Sequence, residues 1–164
     1  MAPRDRNGIS IRLGQPLDFD EIFDLILELR ARLREKGKPD KKALDQIFRR
    51  FLGSNDKCVY VAEADASLVG LMSIAVGESL YDHKPWLEIH ELIIKDDYRS
   101  RGIGRLLLDE ATGRARERGC ACISLTADVD NPRAIKFYRE YGFDSSEIVL
   151  EKELENEATD GGLE

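Results

Sequence analysis

The chain has 164 residues, 42% of them hydrophobic and 35% charged, and a formal net charge of -7. This length suits one ordinary domain, and the apolar content excludes a disordered chain. The acidic balance argues against a general nucleic-acid binder, and no apolar run approaches the roughly 20 residues of a membrane-spanning helix.

Ile9, Ile11 and Leu13 alternate with Ser10 and Arg12, predicting a first strand that Gly14-Gln15-Pro16 ends. Asp18 is expected to cap a helix with the apolar stripe Phe19, Ile22, Ile26, Leu29 and Leu33, stopped by Gly37. Pro39 suits the first turn of a second helix, whose face is Leu44, Ile47, Phe48 and Phe51 and whose end is Gly53. Strands are expected over Cys58–Ala62 and Leu68–Val76, joined by a tight turn at Asp65-Ala66-Ser67. Gly77–Pro85 reads as a loop or a frayed strand end, and Trp86–Ile94 as a strong strand. Gly102 opens a long helix that Gly119 stops, with Ile103, Leu106, Leu107, Ala111 and Ala115 on one side. Ala121–Thr126 is a further strand. Asn131 caps and Pro132 opens a short helix to Tyr141, with Gly142 past its end, and Phe143–Leu150 is expected as a last strand. The order β-α-α-β-β-β-α-β-α-β makes an α/β (α+β) mixed sheet, with one parallel pair across the long helix.

Cys58, Cys120 and Cys122 are an odd count in a chain large enough to need no staples. With the polar N-terminal residues Arg4, Asp5, Arg6 and Asn7 they point to reduced thiols and a cytoplasmic protein. Charge is unevenly spread. Lys95–Arg118 holds seven basic and five acidic residues, so it is net +2 within an acidic chain. A basic patch of this size suits a compact polyanion, although a solvated helix face has the same composition.

At the centre of the patch, Arg99-Ser100-Arg101-Gly102-Ile103-Gly104 follows a strand and opens a helix. Glycines allow close backbone approach and positive φ, and a helix N-terminus offers amide donors to a pyrophosphate. Arg99, Arg101 and Arg105 can add charged hydrogen bonds. A dinucleotide fingerprint would need a third glycine where Leu107 stands, and no Walker-type Gly-Lys-Ser/Thr follows.

Arg99-x-x-Gly102-x-Gly104 resembles the acyl-CoA-binding signature of the GNAT superfamily of N-acyltransferases. The lead-in Leu92–Tyr98, the following Leu106 and Leu107, and the later run Asn131-x-x-Ala134-x-x-Phe137-Tyr138-x-x-Tyr141-Gly142-Phe143 are similar to that family too. The resemblance covers about residues 9 to 152. It implies one GNAT domain over 1–152; residues 153–164 lie outside it and, being acidic and Gly-containing, are expected to form a frayed tail. The implied fold is a mixed, mostly antiparallel sheet with helices on both faces and a splayed parallel pair of central strands.

The resemblance implies acetyl-CoA as co-substrate and no metal. Backbone groups of Ile93, Ile94 and Lys95 would pair with the pantetheine arm. Amides of Arg99, Ser100, Arg101, Gly102, Ile103 and Gly104, with Arg105 at the same turn, would hold the pyrophosphate. Asn131 would contact the cofactor from the far side while also capping its helix. Direct attack by an amine needs a proton acceptor and an acid near the departing sulfur. Tyr138 stands at the family's usual position for that acid. Glu88 and His90 lie two apart on one strand, so they share a face, with Glu91 on the other. Glu88 is favoured as the base over His90, whose imidazole can also take a proton near neutral pH.

Two functions follow from the resemblance. One is an N-acetyltransferase acting on a small-molecule or peptide amine; the other is a catalytically silent acyl-CoA-binding module. Retention of Tyr138 and the Glu88/His90 pair favours the enzyme. The acceptor rim would include Glu21, Asp24, Glu28, Tyr81, Asp82, His83 and Trp86, an acidic set suited to a cationic amine unless the three helix acids form a solvated face. Neither nucleic acid nor membrane is expected as a partner, and a homodimer stays open.

Overall fold

A computed structural model describes residues 8–35, 37–81, 83–144, 149, 150 and 152. The elements are β1 (Ser10–Leu13), α1 (Phe19–Arg32), α2 (Lys41–Leu52), β2 (Lys57–Ala64), β3 (Ser67–Glu78), β4 (Pro85–Ile94), α3 (Ile103–Glu117), β5 (Ile123–Leu125) and α4 (Pro132–Tyr141). Short 3-10 turns precede α1 at Pro16–Asp18 and follow β4 at Asp96–Tyr98. Two compact units result, Met1–Thr126 and Ala127–Glu164. The first holds the sheet with α1, α2 and α3; the second holds α4.

The five strands lie in chain order across one sheet. Neighbours are antiparallel except β4 and β5, which run parallel with Leu87, Glu88 and Ile89 opposite Ile123, Ser124 and Leu125. This is the expected mixed sheet with its parallel pair. Alternation along each strand sends side chains to two faces. On one, Val59, Val61, Leu68, Leu71 and Ile93 pack with Ile22 and Leu25 of α1 and Phe48 of α2. On the other, Tyr60, Met72, Ile74, Leu87 and Ile89 are buried on the face that α3 covers with Ile103, Leu107, Leu108, Ala111 and Ala115. Burying Leu107 or Leu108 fully is worth about 1.5–3 kcal/mol each.

Several expected boundaries move. Strand β3 continues through Gly77 to Glu78, and β4 starts at Pro85, so the connecting loop is shorter than expected. Trp86 lies across Gly77, whose missing side chain makes the room: a Cβ there would sit 2.6 Å from the indole. Pro39 precedes α2 rather than entering its first turn. Asp40 is the cap, accepting from the amides of Lys42 at 2.9 Å and Ala43 at 3.3 Å. Strand β5 has three residues, although the amide of Ala121 already bonds to the Pro85 carbonyl at 2.8 Å. Of the last expected strand, residues 145–148 lie outside the described residues, and Phe143, Asp144, Val149 and Leu150 are not in a strand. The tail from 153 is also outside the described residues.

Asp18 is not a side-chain helix cap. Its carboxylate accepts from the Gln15 amide at 2.7 Å and from both terminal nitrogens of Arg12 at 2.7 and 2.9 Å, while Arg12 Nε reaches Glu63 at 2.9 Å. Burial alone would raise the Asp18 pKa. The Arg12 guanidinium and the Gln15 amide outweigh burial and hold it below the ordinary carboxylate value. A depressed folded pKa stabilises above the unfolded value of about 3.9, and that stability is lost as pH falls through the folded one. Asp18→Asn is therefore expected to cost about 2 kcal/mol at neutral pH, since it leaves Arg12 with a poorer partner. Thermal melts of both proteins check this: the gap in Tm should be full above about pH 5 and narrow toward pH 2.

Candidate functional site

Strand β4 carries the feature that shapes the site. Its register with β3 shifts between Ser73 and Ile74: Ser73 stands opposite Glu91, and Ile74 opposite Ile89. His90 is the extra residue of a β-bulge, which reverses the side-chain parity on either side of it. Glu91 therefore shares the α1/α2 face with Ser73 and Val59, and Glu88 lies on that face too, opposite Ala75 and, through it, Lys57. Period-two counting put Glu91 on the other face; the bulge corrects this. Ser73, which is buried, donates its hydroxyl to the Glu91 carboxylate. Glu88 Oε2 lies 3.5 Å from His90 Nε2, and both side chains are part-exposed. The bulge thus gathers two carboxylates and an imidazole where strict alternation offers one carboxylate and the imidazole.

Beyond Ile89, β4 runs on to Ile94 while β5 ends at Leu125. Among the described residues no strand pairs with that stretch of the edge. The backbone there alternates in direction. The Lys95 amide bonds to Val69 of β3 at 2.9 Å, and the Ile93 carbonyl lies 3.1 Å from where a Gly70 Cβ would stand, also toward β3. Residue 94 between them turns its backbone groups to the open side. Of the three backbone positions expected to pair with a ligand, the geometry thus leaves Ile94 facing outward.

The Ile94 carbonyl accepts from Arg32 Nη1 and Nη2, each at 3.0 Å, and lies 3.4 Å from Arg99 Nε. Arg32, the last residue of α1, also bonds to Glu28 and sits 3.2 Å from Asp96; Arg99 meets the same Asp96 oxygen at 2.9 Å. The Arg99 side chain is thus turned back toward the end of β4, and Arg101 Nη2 donates to the Asp97 carbonyl at 2.8 Å with its guanidinium 4.8 Å from the Tyr98 ring centroid. Neither arrangement, nor the role of Arg32, was visible in the sequence. A basic residue at a helix C-terminus four places after Glu28 reads there as a local ion pair.

The Gly-rich turn has left-handed backbone at Ser100 (φ 61°) and Gly102 (φ 84°). Alternating handedness in successive residues is the backbone pattern of a nest, in which amides converge toward one point. Gly102 is exposed, and a Cβ on it would meet nothing within 4 Å, so its conformation rather than crowding calls for glycine. Gly104 is helical and buried in the first turn of α3, with no positive φ. The first helical bond runs from the Leu106 amide to the Gly102 carbonyl at 3.1 Å, which leaves the amides of Ile103 and Gly104 without an acceptor inside the helix. Arg105 lies exposed on that same turn.

Several acids expected on an acceptor rim have other partners. Glu21 accepts from the Leu68 amide at 2.8 Å, tying α1 to the β2–β3 turn, and Glu28 pairs with Arg32. Tyr81 is 90% exposed, and Asp82 lies outside the described residues. In the second unit, Asn131 caps α4 by accepting from the Ala134 amide at 3.1 Å. Tyr138 packs its ring edge-on against Phe143 at 5.8 Å and beside Phe137 at 5.3 Å, and burial raises its pKa.

The described site thus combines a β4 edge that no described strand pairs beyond Ile89, a left-handed turn at the start of α3 and an acid/imidazole pair at a bulge. Residues 22–143 match the family model of the acetyltransferase (GNAT) family, and the chain belongs to it. An uncharacterized N-acetyltransferase of Methanocaldococcus jannaschii is 28% identical over 133 residues; the match covers 80% of this chain but 59% of that protein. Solved structures are similar too, among them these two. A transcriptional regulator from Bacillus halodurans has 27% identity and a TM-score of 0.80, over 89% of this chain and 99% of its own. An aminoglycoside acetyltransferase from an uncultured soil metagenomic sample has 25% identity and a TM-score of 0.74, over 92% and 97%.

Proposed function

We propose that the protein transfers an acetyl group from acetyl-CoA to an amine by direct attack. The observation that carries this reading is the open edge of β4, which leads through Ile94 into the left-handed turn at the N-terminus of α3. An edge with outward backbone groups fits an amide-bearing arm, and the turn fits a pyrophosphate. The residues present thus suit CoA. Ile94 would hold its arm, and the backbone from Arg99 to Gly104, with Arg105, would hold its phosphates; Asn131 is carried over from the family pattern. When bound, acetyl-CoA supplies the thioester carbonyl that the amine attacks.

The rest falls to the chain's own groups. An alkylamine with pKa near about 10.4 arrives protonated at neutral pH, so a base must take its proton, directly or through water. Glu88 is assigned that part, with His90 at 3.5 Å able to share the proton. Tyr138, whose hydroxyl burial keeps protonated, is assigned to give a proton to the departing sulfur. Similarity to an aminoglycoside acetyltransferase supports a small-molecule amine as acceptor. A cytoplasmic location belongs to the same proposal; among the described residues no helix is long and apolar enough to cross a membrane.

Thiol release from acetyl-CoA across a panel of amines tests the reading. Amine-dependent release supports it, and CoA binding without release on any amine would make the protein a binding module. Within that assay, Glu88→Gln is expected to lower kcat by about 10²-fold while leaving acetyl-CoA affinity within about twofold. His90→Gln should lose less. The reverse order would move the base to His90.

A further inference from the structure

We propose that Arg32 is a gate on the cofactor edge: its guanidinium occupies the Ile94 carbonyl, and that carbonyl must be given up before an arm of CoA can pair with it. This rests on the acyl-CoA reading above and adds a positioning residue to it. A carbonyl oxygen has two lone pairs. Both are filled by the Arg32 donors at 3.0 Å, with Arg99 Nε close behind at 3.4 Å. An amide N–H of a strand-like ligand therefore cannot simply be added.

Arg32 is the donor suited to leave. It reaches the carbonyl from another element, the end of α1, whereas Arg99 lies on the turn that follows β4. On leaving, its charge stays balanced by Glu28 and by Asp96 at 3.2 Å, so no lone cation is left behind. Arg99 retains Asp96 at 2.9 Å and can follow the carbonyl. The exchange thus loosens one tie between the end of α1 and the end of β4, and the end of α1 is the part of the chain that senses whether the edge is filled.

Competition makes a directional claim. Replacing Arg32 by Met keeps the methylene stem and removes the donors, so CoA should bind more tightly, on the order of tenfold, because no charged hydrogen bond need be broken first. The nucleotide half of CoA, 3′-phospho-ADP, retains the pyrophosphate and lacks the arm, so its affinity should change by less than about twofold. Calorimetry with both ligands on wild type, Arg32→Met and Arg32→Lys makes the test, at about 0.5 M salt so that loss of one positive charge is screened. Arg32→Lys, with one charged head that can still reach the carbonyl, should fall between the other two. Circular dichroism melts identify any variant that does not fold, and Arg32→Lys then carries the comparison alone.

Tighter CoA binding in Arg32→Met with unchanged nucleotide binding supports the gate. Unchanged or weaker CoA binding in a folded variant, or an equal shift for both ligands, overturns it and leaves the acyl-CoA reading intact. A wild-type protein that binds neither ligand overturns that reading and the gate together.

Discussion

Gly102→Asp is expected to lower CoA affinity by on the order of 10²-fold, about 2.7 kcal/mol, in a protein that still folds. Folding survives because the position is open: a Cβ at Gly102 meets nothing within 4 Å. Backbone strain at φ 84° is modest for Asp, one of the side chains that visits the left-handed region most readily. The carboxylate would stand at the N-cap position of α3, beside the early amides of that helix and the positive end of its dipole. Those amides are the donors assigned to the pyrophosphate. The variant thus fills the anion site with its own anion and adds like-charge repulsion. Gly102→Ala separates the two effects, because it carries the strain without the charge; its loss should be nearer tenfold. Calorimetry with CoA measures both. Wild-type affinity in folded Gly102→Asp would remove the turn from the binding site.

Tyr138→Phe is expected to reduce kcat by about 10²-fold with acetyl-CoA affinity unchanged, the low end of the range for a lost proton transfer. The low end applies because a thiolate leaves tolerably well without a proton. The substitution keeps the ring and hence its contacts with Phe137 and Phe143, so stability should change by less than about 1 kcal/mol. Burial raises the Tyr138 pKa, which keeps the hydroxyl protonated through and beyond the ordinary phenol value of about 10. Any alkaline loss of activity that disappears in Tyr138→Phe should therefore lie above that pH. Single-turnover rates with a working amine make the comparison. Wild-type turnover in Tyr138→Phe would reduce Tyr138 to a packing residue.

The order of elements as far as α4, the strand–turn–helix at 99–104 and the acid/imidazole pair on β4 were legible in the amino-acid sequence, because each depends on neighbours close in the chain. Apolar residues at spacings of three and four define which side of Ile103–Glu117 faces inward, alternation marks Trp86–Ile94 as a strand, and Gly102 marks a backbone conformation that other residues rarely take. Family membership followed from the same local runs, whose spacing is a property of the chain. What the tertiary structure alone decided depends on partners far apart in sequence. The bulge at His90 is a mismatch between β4 and β3, and no count along β4 could show that it moves Glu91 to the face of Glu88. Asp18, a plain helix cap by position, is drawn to Arg12 and Gln15 because β1 ends beside the turn before α1. Arg32 meets the Ile94 carbonyl across 62 positions of chain, and Glu21 meets the Leu68 amide across 47. Such contacts form because strand backbone groups left unpaired by the sheet must still be satisfied. Which side chain satisfies them is set by how the helices pack on the sheet.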